Sequence, residues 1–144
     1  RMLRKIRQQF DFCLLDAPAG LGRGFQLATC AADRCVVVTT ADASSLRDAQ
    51  HTVMELDRFP SGALHLVVNR VRKKLLRQLH ATIDDAIDKA GLPLLGVVPE
   101  DDALPLCMNR GVPILLADGQ SAATAYRNIA KRLQGERVPL LRIR

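Results

Sequence analysis

The chain has 144 residues, 48% of them apolar and 25% charged, which is material for one core and fits a single domain over 1–144. No apolar run approaches the roughly 18 residues of a spanning helix, and the basic, amphipathic start is unlike a signal peptide, so the composition points to a soluble domain. The formal net charge of +6 sits beside only 3% aromatic residues, which leaves phosphates or anionic surfaces as partners but few platforms for stacking single-stranded nucleic acid.

In chain order, Met2, Leu3, Ile6 and Phe10 share one helical face, and residues 1–11 read as the tail of a preceding helix. Phe12-Cys13-Leu14-Leu15 is an apolar run that ends on Asp16 and a Pro18-to-Gly20 turn. That pattern predicts a buried strand presenting an acid at a sheet edge. A short helix follows from about Phe25 to Ala31, and the β-branched run Cys35–Thr39 predicts a second strand covered on both faces. Ser44 or Ser45 is placed to cap a helix running to about Arg58, where Pro60-Ser61-Gly62 punctuates the chain. Leu64–Val68 form a third strand, followed by the basic cluster Arg70, Arg72, Lys73, Lys74 and Arg77. Thr82 and Asp85 have the spacing of a capping box with Asp in place of Glu or Gln, and that helix closes at Gly91. Leu94–Val98 form the fourth strand. After Pro99 come a short helix to about Asn109, a turn at residues 111–113, the run Ile114-Leu115-Leu116 and a last helix from Ser121 to about Gln134, with 135–144 as a C-terminal tail. Strands spaced by helices predict right-handed βαβ units, hence an open, mainly parallel α/β sheet with helices on both faces.

Ligands of such sheets lie beyond the carboxyl ends of the strands. The residues there are Asp16 to Gly20, Thr39 to Asp42, Asn69-Arg70 and Pro99 to Asp102. A carboxylate such as Asp16 suits Mg²⁺, and the amide of a glycine such as Gly20 permits close approach of a phosphate. The Asn69 side chain both donates and accepts, as the edge of adenine requires. Each also has a plain reading as a turn former or cap, as does the acidic run Glu100-Asp101-Asp102 at a helix start. Cys13, Cys30, Cys35 and Cys107 lack C-x-x-C spacing and read as reduced, small core residues, while His51, His65 and His80 show no metal-ligand spacing.

Taken together, these segments resemble the MinD/ParA family of P-loop ATPases. Residues 12–20 resemble its Walker B and switch II segment. The likeness continues through residues 32–40, 44–48, 67–70, 91–101, 109–113 and 125–130 in the same order. The resemblance implies that Asp16 helps hold Mg²⁺, that Gly20 lies where switch II senses the γ-phosphate, and that Asn69 and Arg70 flank the adenine of ATP. It further implies that Pro99, Glu100 and Asp101 form the loop over the base, and that Asp48 lies near the nucleotide and the partner surface. It implies an ATP-dependent homodimer, cytoplasmic and peripheral on the inner face of the cell membrane through a C-terminal helix. Its partners would be a division inhibitor and a protein that stimulates hydrolysis, and its task the placement of the division septum. Relatives of the ParA type position DNA or other cargo, and flagellar-number proteins form a third branch.

The departures from the family are specific. No G-x-x-x-x-G-K-[ST] loop is present, so the expectation is the C-terminal part of such a domain, without the phosphate-loop strand and inactive by itself. Val138 to Arg144 mixes apolar and basic residues but spans about two helical turns, short for a membrane helix. Gly20-Leu21-Gly22-Arg23-Gly24, with Asp42 about twenty residues on, approaches an NAD(P) fingerprint, although the spacing is G-x-G-x-G. A non-enzymatic interaction fragment is the remaining alternative.

Overall fold

The computed structural model describes residues 2–60, 62–78, 82–116 and 121–141. The chain divides into two compact units, Arg1–Cys35 and Val36–Arg144.

The first unit is built on two short helices. α1 (Met2–Arg7) stops three residues short of the expected Phe10, and Gln9 closes it with a tight bond to the Ile6 carbonyl at 2.9 Å. Arg7 pairs with Asp33 at 2.8 Å, both exposed. The strand expected at residues 12–15 does not form: residues 12–18 carry no regular secondary structure, and Leu14 is 88% exposed. An apolar run becomes a strand only when a neighbour supplies the other half of its hydrogen-bond ladder, and no described segment pairs with this one. α2 (Arg23–Thr29) begins two residues before the expected Phe25, because Gly22, in extended conformation, serves as its N-cap and accepts from the Gln26 amide at 3.1 Å. Gly24 allows the Pro18 ring to lie across the start of this helix, since a Cβ there would come within 2.6 Å of Pro18 Cγ. Phe25 and Thr29 are the buried residues of α2, and the Thr29 hydroxyl donates back to the Phe25 carbonyl at 2.9 Å.

The second unit holds the sheet. Its elements are β1 (Cys35–Thr39, counted from its first residue), α3 (Ala43–Met54), β2 (Leu64–Val71), α4 (Lys73–Gln78), α5 (Ile83–Ala90), β3 (Leu94–Pro99), α6 (Ala103–Asn109), a 3-10 turn (Ile114–Leu116) and α7 (Ser121–Leu133). The strand order is β1-β2-β3, and β2 runs parallel to β3 with Val67 opposite Gly96 and Val71 opposite Pro99. Strands covered on both sides need apolar residues at consecutive positions, and Leu66, Val67 and Val68 are all buried. Val67 belongs to a core with Leu95, Val98, Ile114 and Ala122, Ala123 and Ala125 of α7. The pleat sends its neighbours Leu66 and Val68 to the opposite face, where α5 contacts β2 and α3 packs on α5. Gly96 is the closest approach: a Cβ there would collide with Ile129 of α7, so the helix lies on the strand where the side chain is missing.

Local signals explain both ends of α5. Thr82 Oγ1 accepts from the Asp85 amide at 3.1 Å while the Asp85 carboxylate accepts from the Thr82 amide at 2.6 Å, so the shorter acid completes the capping box. The Thr82 hydroxyl, which also donates to the Asp85 carboxylate at 2.8 Å, and after it the Thr82 amide hold that carboxyl below its usual range. Gly91, at φ 66°, ends α5 by donating to the Ile87 carbonyl. Two expectations fail. α3 is capped by Asp42 and not by Ser44 or Ser45, and it ends at Met54, not Arg58, as Leu56 and Phe59 donate only three residues back in successive tight turns. α4 is unanticipated, lying in what read as a basic cluster. The tail is not a helix: residues 136–141 have no regular secondary structure, and the Arg132 guanidinium ties them down by donating to the carbonyls of Val138 and, at 2.8 Å, Leu95. Among the described residues no helix is long and apolar enough to cross a membrane. Residues 142–144 of the expected tail lie outside the described residues.

Candidate functional site at the strand ends

At the end of β1, Asp42 accepts from the Ser45 amide at 3.0 Å and from the Thr40 hydroxyl, which itself lies 2.8 Å from Ser45 Oγ. These bonds, the Thr40 hydroxyl first, hold the Asp42 carboxyl down at about 2 from its ordinary 3.8. Asp42 is thus engaged as the cap of α3, where a dinucleotide-binding fold would turn this acid to a ribose. Asp48, further along α3, is exposed, and its carbonyl accepts from the Thr52 hydroxyl at 2.9 Å.

The ends of β2 and β3 bring four of the predicted site residues together. β2 extends through Asn69 and Arg70 to Val71, past the expected end at Val68, with an irregularity between Val68 and Val71. Arg70 there has φ 53°, the one positive value among the described non-glycine residues. A side chain in that region is disfavoured and is held by its surroundings. Two contacts do so: Asn69 Oδ1 accepts from the Arg70 amide at 2.9 Å, and Glu100 Oε1 accepts from the Arg70 guanidinium at 3.2 Å. One acceptor position of Asn69 Oδ1 is therefore used within the turn, and the two donors of its NH₂ are free of it. Pro99 is buried in β3 opposite Val71, and the Glu100 amide donates to the Val71 carbonyl at 3.1 Å. Arg72, read only as one of a basic cluster, also contacts Glu100, a partnership no local spacing signals.

Asp101 has a separate task. Its Oδ1 accepts from the Ala103 amide at 3.1 Å at the start of α6, and its Oδ2 accepts from the Ala122 amide at 3.2 Å at the start of α7. One carboxylate thereby caps two helices and fixes the loop after β3. Asp16 and Gly20 lie in the first unit. Asp16 is exposed, and Gly20 takes φ 85° with open space around its α-carbon, so its backbone is accessible to a ligand. Among the described residues no three His, Cys, Asp or Glu side chains gather as a metal site.

The family model for the cellulose biosynthesis protein BcsQ matches residues 1–133. The septum site-determining protein MinD of Bacillus subtilis is 38% identical over 141 residues, which cover 96% of this chain and 53% of that protein. Among solved structures, the MinC:MinD cell division protein complex of Aquifex aeolicus matches with a TM-score of 0.89 and 31% identity, over 97% of this chain and 59% of that one. MinD of Pyrococcus horikoshii, solved with Mg-ADP, matches with a TM-score of 0.77 and 26% identity, over 91% of this chain and 53% of that one. The chain thus spans about half the length of the curated relatives it matches.

Proposed function

The chain belongs to the MinD/ParA-like family described by the BcsQ model, and from that premise we propose that it is part of a MinD-like, Mg-ATP-dependent ATPase that places the division septum. The observation that carries the reading is the rim at the ends of β2 and β3, in a chain whose relatives include a MinD solved with Mg-ADP. Asn69 offers its NH₂ to the acceptor edge of the adenine, and Arg70 lies alongside with its backbone set by Glu100. Pro99, Glu100 and Asp101 close the base side, held by the ladder bond to Val71 and the double cap. In the first unit, the Asp16 carboxylate would hold Mg²⁺, directly or through water, and the Gly20 amide would meet the terminal phosphate. Magnesium, when bound there, neutralises charge on the phosphate oxygens.

The same reading makes the intact protein an ATP-dependent homodimer, peripheral on the inner membrane face. Its partners would be a division inhibitor, as MinC stands beside MinD in the Aquifex complex, and a protein that stimulates hydrolysis. By itself the 144-residue chain hydrolyses no ATP, because it contains no phosphate-cradling G-x-x-x-x-G-K-[ST] loop. A second reading has the family description behind it: the positioned cargo is a cellulose-synthesis assembly, not the septum.

Binding of a fluorescent ATP analogue by the intact protein tests the site. Binding should require Mg²⁺ and weaken about tenfold or more in Asn69→Ala, since a lost donor leaves the base edge unpaired. Binding that is indifferent to both changes would refute the nucleotide site. Septum misplacement on deletion favours the first role, and loss of cellulose with normal septa the second.

A further inference from the structure

Glu100 ties two strand ends together in a way that involves a residue outside the predicted site. Its amide donates to the Val71 carbonyl at 3.1 Å, one rung beyond the pairing of Val71 with Pro99. Its carboxylate takes the residues on either side of Val71: Oε1 accepts from the Arg70 guanidinium at 3.2 Å, and Oε2 pairs with Arg72 Nε. The Glu100 side chain is 20% exposed, whereas those of Arg70 and Arg72 are 69% and 61% exposed. The anion is the sheltered, shared member, and two cations reach it from solvent.

We infer that Arg72 is a positioning residue that acts on Arg70 through Glu100. A guanidinium alone beside a carboxylate favours the two-pronged arrangement, one N–H to each oxygen. Arg72 occupies Oε2, so Arg70 is confined to Oε1 and most of its donors stay turned outward at the mouth of the site. Without Arg72, the Arg70 fork closes on both oxygens of Glu100. Its outward donors are then withdrawn, and the backbone at φ 53° is pulled with them. Glu100 keeps its ladder bond in either arrangement, so the fold persists while the presentation of Arg70 changes. The consequence for a ligand rests on the nucleotide reading of this rim; the effect on Arg70 does not.

The test uses the intact protein with Arg72→Ala, Arg72→Lys and Arg72→Ala combined with Glu100→Gln. The Arg70 Nε–H resonance, recorded without nucleotide, should move in Arg72→Ala and return partway in Arg72→Lys, which restores charge but not the planar donor. Affinity for Mg-ADP should fall about three- to tenfold in Arg72→Ala, the scale of one coupled charge contact. In the Glu100→Gln background the same substitution should add no further loss. An unmoved Arg70 resonance overturns the inference, as does an equal loss of affinity in that background, or a moved resonance with unchanged affinity. Failure of the unmodified protein to bind Mg-ADP overturns the nucleotide reading instead, and the Arg70 resonance still decides the role of Arg72.

Discussion

Two apolar runs in this chain look alike and fold differently. Phe12-Cys13-Leu14-Leu15 and Cys35-Val36-Val37-Val38-Thr39 are both bounded by polar residues and turn signals, and both lead into a helix through a loop. The second is a strand at the edge of the sheet beside β2, with Val37 and Thr39 buried. The first has no described partner, and Phe12 and Leu14 stand exposed. The difference is not one of hydrophobicity. β-branched residues favour the extended backbone in the second run, and a neighbouring strand satisfies its amides and carbonyls, whereas the first run has neither support.

This contrast can be broken or sharpened by substitution, the largest effect first. Leu66→Ala in β2, where the side chain is 0% exposed, should cost about 2–5 kcal/mol in denaturant unfolding, through lost burial and a cavity between sheet and helices. Gly96→Val should cost about 1–3 kcal/mol, because its side chain would drive into Ile129, and Ile129→Ala should recover part of the loss; a neutral Gly96→Val would mean that α7 does not lie on β3 as described. Asp42→Ala should cost about 1 kcal/mol by removing the cap of α3. Leu14→Ala should change stability by less than about 0.5 kcal/mol, and a loss as large as that of Leu66→Ala would show the first run to be buried in the protein in solution.

Asp42 also makes a pH prediction. Its carboxyl is depressed in the folded state to about 2 from 3.8, so its contribution is present in full above the ordinary value and is lost as pH falls through the folded one. Unfolding curves at about pH 5 and about pH 2 should therefore differ less for Asp42→Asn than for the unmodified chain. An unchanged difference would assign the acid sensitivity to other groups.

How far the sequence could be read depended on how far apart the interacting residues lie. The three strands at 35–39, 64–68 and 94–98 were legible because their β-branched or apolar runs are local, and the Thr82–Asp85 box and the Gly91 stop are complete within one helix. The sequence points to Ser44 or Ser45 as the cap of α3 because three polar residues, Asp42, Ser44 and Ser45, compete within one turn, and only backbone geometry shows that Asp42 receives the Ser45 amide. The candidate site was half legible. Residue type and position after a strand marked Asn69, Arg70 and Glu100, but the partnership of Arg72 with Glu100 joins residues 28 positions apart and leaves no local trace.

By itself the sequence determined the three strands that pair and all the helices but α4, the capping box and glycine stop of α5, and the order of segments that places the chain in its family. Those depend on side chains acting on their own backbone or on the next turn, within a few residues. The tertiary structure alone decided which apolar runs pair, why Gly96 must lack a side chain beneath Ile129, how Arg132 secures the tail, and that one carboxylate at Glu100 holds two arginines. Each of these needs a hydrogen-bond or packing partner distant in the chain, which only the folded arrangement supplies.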